Sequence, residues 1–298
     1  MTPERLTLRA ATLALDVLPA VGGSIARFDH LGPEGRQPLL RGTDGNYADV
    51  LESACFPLVP YANRIRGGRF ECDGREVRLP LNLPGDASPL HGQGWRAAWS
   101  VESAAADRIE MAFRHEAGDW PWTYEARQHI VLSPDGCAIT LSCRNLSDQP
   151  MPCGLGLHPY YPCGSQTLLD TGVDSVWTVD QDVLPVTRLP ATGRYSLQNR
   201  LVCGQDLDNG FDGWSGAARI TWPGQPVALE LSSGDAPYFQ VYSPAGRGFF
   251  AAEPVQNANA ALNAPQDQWP LLGIHLLAQG ESRQLRTQFT VVRLPPND

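Results

Sequence analysis

The 298-residue sequence contains no lysine; its 23 basic side chains are all arginine, set against 32 aspartates and glutamates for a formal charge of -9. That absence excludes Schiff-base chemistry and a lysine-dependent phosphate loop. No basic run is present to follow a phosphate backbone, so no nucleic-acid partner is expected. No apolar stretch reaches the roughly 18 residues of a membrane span, and the polar start, Met1 to Arg9, is unlike a signal segment. A cytoplasmic protein without a membrane partner is the expectation. G-x-S-x-G, H-E-x-x-H and a strand-to-helix G-x-G-x-x-G are also missing, which removes three large enzyme classes. The seven cysteines, Cys55, Cys72, Cys137, Cys143, Cys153, Cys163 and Cys203, are odd in number and scattered, with no C-x-x-C pair. Reduced, mostly buried thiols are expected, with neither a disulfide framework nor a zinc site, and neither metal nor cofactor.

Sustained helical periodicity is lacking too, and period-2 alternation stands in its place. It runs through Leu6, Leu8, Leu13, Leu15 and Val17 near the start and Leu285, Thr287, Phe289 and Val291 near the end. Arg69 to Cys72 and Arg75 to Leu79 flank Asp73-Gly74, a dipeptide suited to the two positive-φ positions of a tight hairpin. A second hairpin is expected from Tyr124 to Leu132 and Cys137 to Cys143, around Ser133-Pro134-Asp135-Gly136. Trp99 and Val101 with Ile109 to Phe113, Ile220 and Trp222, Val227 to Leu231, and Tyr238 to Tyr242 continue the pattern. With 29 glycines and 26 prolines as punctuation and no linker or repeat, the sequence predicts an all-β chain. The expected architecture is one large antiparallel β-sandwich domain over residues 1–298.

The chemistry must then come from acids, bases and hydrogen-bond donors on loops and strand ends. In Pro60 to Phe70, a guanidinium and the Asn63 amide could together hold neighbouring hydroxyls, although taken alone the segment reads more readily as a surface loop of solvated arginines. His91 sits in a glycine-flanked loop before Trp95, whose ring could stack on a sugar, while a structural histidine suits that setting equally. His158 precedes Pro159, which restricts its backbone to extended conformations and fixes the imidazole's direction, as a general acid requires. His30, His115, His129 and His275 lack such settings. Glu253 follows the apolar run from Phe249, where burial would raise its pKa toward that of a competent base. Asp208 and Asp212 share a Gly-rich turn, for which an Asx-turn is the plain account.

In this order, the segments resemble the aldose 1-epimerase (galactose mutarotase-like) family. The residues that carry the resemblance are Asn63-Arg64-Ile65 with Gly67 to Phe70, Leu90-His91-Gly92, His158-Pro159-Tyr160, Asp208 with Phe211, Tyr242-Ser243-Pro244, and Glu253-Pro254 with Ala261-Leu262-Asn263. The resemblance runs from about Phe56 to Phe289. It implies a galactose mutarotase-like supersandwich that interconverts the α and β anomers of a free aldose without metal or coenzyme. Glu253 would be the base at the anomeric hydroxyl and His158, as imidazolium, the acid at the ring oxygen. Asn63, Arg64, His91 and Asp208 would hold sugar hydroxyls, with Arg66 a rival to Arg64 and Asp212 to Asp208. Val255-Gln256-Asn257 after Glu253-Pro254 departs from the family's pattern and bears on substrate choice. Two other functions share these residues: epimerisation of a hexose 6-phosphate, for which Arg66, Arg69 and Arg78 could supply a phosphate site, and a non-catalytic sugar-binding module.

Overall fold

The computed structural model describes residues 4–42 and 48–295. Its framework is two antiparallel sheets of eleven and nine strands, and the described helices are short 3₁₀ segments only. No described helix is long and apolar enough to cross a membrane. The hairpins fall where the turn chemistry placed them. Asp73 and Gly74 take φ of 50° and 73° between Cys72 and its partner Arg75. Tyr124–Ser133 pairs along its length with Gly136–Asn145, and the alternation in sequence becomes alternation in burial. Trp99 and Trp222 fall one residue outside the strands Ser100–Ala104 and Ala217–Thr221. Their indole N–H groups donate to main-chain carbonyls instead, at Gly94 (2.9 Å) and Pro162 (2.7 Å).

Within the larger sheet, five consecutive neighbours matter for function: Cys55–Leu58, Gly156–Pro162, Phe249–Val255, Tyr238–Ser243 and Leu207–Asp212. Successive side chains on a strand point to opposite faces, so each strand has two sets. One set, including Leu157, Tyr161, Phe250, Ala252, Phe239, Val241 and Phe211, joins the main hydrophobic core. The other carries Phe56, Leu58, Tyr160, Ala251 and Val255 into a separate small cluster with Val50, Ala62 and Trp95. This second face supports the cavity described below.

One expectation is corrected. Cys163 and Cys203, 40 residues apart in sequence, form a disulfide with a Cα separation of 5.6 Å. Scattered spacing concealed the pair because the turn after Pro162 and the segment after Leu201 meet only in the folded chain. The other five cysteines are free and buried.

Candidate active site

The second face of the five strands opens into a cavity of about 390 Å³. Its floor is a cross-strand row fixed by register. Phe56 pairs with His158, and Gln240 with both Glu253 and Gly210. The strands of His158 and Glu253 pair Gly156 with Val255 and Tyr160 with Ala251, so residues 158 and 253 stand opposite each other. A parallel row adds Tyr160, Tyr242 and Asp208. Chain segments separated by nearly two hundred residues thus deliver one set of side chains to one surface.

Loops complete the wall. Asn63, Arg64 and His91 line the cavity with the strand residues. Asn63 and His91 both have positive φ, 63° and 62°, which is uncommon for residues with a Cβ and is sustained here by mutual bonding. Asn63 N–H donates to His91 Nδ1 at 3.1 Å, and His91 N–H donates to Asn63 O at 3.0 Å. An Nδ1 that accepts must be unprotonated, so His91 is neutral and Nε2 is its donor. Burial, with His158 and Arg64 nearby, holds its pKa well below the usual value. Gly92 is required after it, since a Cβ there would lie 2.2 Å from Val59 O at a φ of +71°.

His158 Nε2 lies 3.3 Å from Glu253 Oε1. Burial pushes the imidazole down to about 3, with Arg41 and Arg64 opposing its charge, while its own carbonyl acts the other way. Burial also drives Glu253 well above the usual carboxylate range; Asp208 reinforces that shift and Arg64 counters it. Burial thus disfavours the charged form of each partner, imidazolium and carboxylate alike. The expected upward shift of Glu253 is present. Phe56, centroid 4.6 Å away, and Tyr160, at 4.5 Å, pack against the His158 ring from adjacent sides and set its direction. Asp208, raised by burial against the pull of Arg64, accepts from Gln240 Nε2 at 2.8 Å.

The structure separates the rivals. Asp208 lines the cavity, whereas Asp212 forms a two-pronged pair with Arg188 outside it. Arg64 is inside, whereas Arg66 faces Asp180 and Arg78 faces Glu76 in exposed pairs. Arg69 is exposed as well, so Arg66, Arg69 and Arg78 make no phosphate site at this cavity. His30, His115, His129 and His275 all lie elsewhere. Trp95 lines the cavity but is only 1% exposed; it donates its N–H to Leu90 O and packs against the Phe56 ring, centroids 5.4 Å apart. A larger hollow of about 460 Å³ beside Cys163 and Trp222 contains one arginine and neither a carboxylate nor a histidine.

The chain matches the model of the aldose 1-epimerase family over residues 4–290. It belongs to that family. Among relatives of this epimerase-family chain, the uncharacterized Escherichia coli K12 protein YphB is 34% identical over 288 residues, covering 93% of this chain and 94% of its own. Bovine galactose mutarotase is 24% identical over 229 residues, covering 71% of this chain and 66% of its own. A crystal structure from E. coli K12 with a provisional aldose 1-epimerase assignment superposes with a TM-score of 0.89 at 30% identity, covering 98% and 99% of the two chains. A galactose mutarotase-like protein from Clostridium acetobutylicum has the same fold, with a TM-score of 0.87 at 18% identity over 97% and 95%.

Arg41, Gln240 and Arg247 also line the cavity, and no sequence motif singles them out. Gln240 had a usable signal, since it alternates with Tyr242 on a strand already recognised. Arg41, whose guanidinium lies 3.9 Å from the Tyr160 ring centroid, carries no local motif.

Proposed function

We propose that the protein is an aldose 1-epimerase acting on a free aldose, with Glu253 and His158 exchanging protons with substrate. The observation that carries the reading is the direct cross-strand contact of that pair at the floor of the cavity. The anomeric hydroxyl oxygen and the ring oxygen are both bonded to C1. Groups that serve both atoms must stand next to each other, as facing residues of adjacent strands do.

Opening the hemiacetal needs a proton removed from the C1 hydroxyl and one delivered to the ring oxygen. Burial keeps one proton on the pair at rest, placed on Glu253. When the sugar enters, its hydroxyls favour the ionised carboxylate, and the proton passes to His158. Glu253 then accepts the C1 hydroxyl proton while His158 donates to the ring oxygen, and the C1–O5 bond breaks. Rotation about C1–C2 turns the aldehyde's other face to the hydroxyl, and the transfers run backward to close the ring. The proton count on the pair is restored, so the cycle consumes nothing. Asp208, His91, Arg64 and Asn63 supply an acceptor and donors for the remaining hydroxyls.

The test is polarimetry on freshly dissolved α-D-glucose and α-D-galactose. Optical rotation should relax faster than in buffer alone for at least one sugar. Binding of both sugars with relaxation at the uncatalysed rate would instead indicate a non-catalytic sugar-binding module.

A further inference from the structure

Arg64 is held at both ends by residues outside the cavity lining. At the guanidinium, Nε and Nη2 donate to Asp86 Oδ2 at 3.1 and 2.8 Å, leaving Nη1 without a protein partner among the described residues. Asp86 is anchored in turn, its Oδ1 accepting Ser88 N–H at 3.0 Å, and this ion pair is mostly buried. At the backbone, Arg64 N–H donates to Asn259 Oδ1 at 3.0 Å and Arg64 O accepts from Ala260 N–H at 3.1 Å. Asn259 Nδ2 donates to Val183 O at 2.7 Å, which fixes the orientation of the amide.

We propose that Asp86 and Asn259 are positioning residues that aim the one unengaged nitrogen of Arg64, Nη1, at a sugar oxygen and so set affinity for the sugar. This rests on the sugar-binding reading of the cavity. An arginine free to sample its rotamers loses that freedom when it binds, whereas one already forked to a carboxylate has lost it in advance. Asp86 orients the plane of the guanidinium, and Asn259 fixes the point from which the side chain leaves the main chain. Both act on a contact made equally in ground and transition states, so their loss falls on KM rather than kcat.

A double-mutant cycle with α-D-galactose and α-D-glucose tests the proposal. Asp86→Ala and Asn259→Ala should each raise KM about ten-fold while kcat stays within about three-fold. Asn259→Asp keeps the acceptor for Arg64 N–H but loses the donor to Val183 O, so it should recover only part of that loss, and Asp86→Asn should fall between wild type and Asp86→Ala. In an Arg64→Ala background, Asp86→Ala should shift KM by less than about two-fold, because there is no guanidinium left to aim. Equal losses in both backgrounds, or a fall in kcat at unchanged KM, overturn the proposal. If the wild type accelerates neither sugar, the epimerase reading fails separately. Calorimetric titration with the same two sugars then decides the positioning roles by the same cycle, and absence of binding or of coupling overturns them.

Discussion

His158 Nε2 and Glu253 Oε1 stand 3.3 Å apart across two neighbouring antiparallel strands, with Oε2 of the glutamate and Nδ1 of the histidine buried and without a hydrogen-bond partner among the described residues. On the proposed mechanism these two groups share one proton and act as a unit. Glu253→Gln and His158→Asn should each lower the anomerisation rate by about 10²–10⁴. The double variant should be little worse than the poorer single one, since either change disables the unit. Polarimetry checks this, and full activity in either single variant would remove its residue from the mechanism.

On that mechanism the active form holds one proton on the pair, whichever partner carries it. Ordinary glutamate and histidine values predict a bell with limbs near pH 4.3 and 6.5. Here the second proton is lost from the pair at about pH 3, the value to which His158 is depressed, and the last one leaves with the raised Glu253. The limbs belong to the pair as a whole. The kcat/KM profile should therefore be a broad plateau whose acid limb lies near pH 3. An acid limb at the usual carboxylate position would contradict this assignment.

The same shifts bear on stability, with opposite signs for the two groups. Glu253 has a raised folded pKa, so its contribution is full below about 4.5 and is lost as pH rises through the folded value. His158 has a depressed one, so its contribution is full above about 6.5 and is lost as pH falls toward about 3. Glu253→Gln should melt higher than wild type at pH 8, with little difference at pH 4. His158→Asn should lose less stability between pH 7 and pH 4 than wild type does. Melting curves at these pH values check both, and parallel curves would refute the burial argument.

Gly154 is a packing requirement behind the site. A Cβ there would lie 2.4 Å from Asn257 Oδ1, the oxygen that accepts Ala62 N–H. Gly154→Ala should destabilise by about 1–3 kcal/mol through overpacking and loss of that buried bond. Gly164→Ala, with open space around it, should change stability by less than about 0.5 kcal/mol. Urea denaturation of both distinguishes close approach from a general cost of replacing glycine.

Cys163–Cys203 closes a loop of 40 residues. Replacing both by serine should cost about 2–4 kcal/mol on the chain-entropy account. Denaturation under non-reducing conditions measures it, and equal stability of the two proteins would contradict a constraining bond.

Strands were legible because burial writes period 2 directly into sequence, as in Tyr124–Ser133, where inward and outward positions alternate. His158 and Glu253 were legible because proline and an apolar run restrict their settings locally. The protonation of the pair was not, since it depends on enclosure by Phe56 and Tyr160 and on the charges of Arg41, Arg64 and Asp208, which come from distant segments. Asp208 and Asp212 share one face of a strand, so the choice between them is likewise set by position along that strand and by Arg188, which draws Asp212 away. Asp86 and Asn259 left no mark in the sequence because asparagine and aspartate occur in many loops, and only their partners make them informative.

The loop bearing Asn63 and Arg64 has a further consequence. Ala62 is bonded through both N–H and C=O to the Asn257 amide, Asn63 through both to His91, and Arg64 to Asn259 and Ala260. A loop in this state should exchange its amide hydrogens as slowly as a central strand. The bonds that make it rigid also employ its backbone donors and acceptors. A new substrate preference here would have to arise through side-chain substitution, with the path of the chain left unchanged.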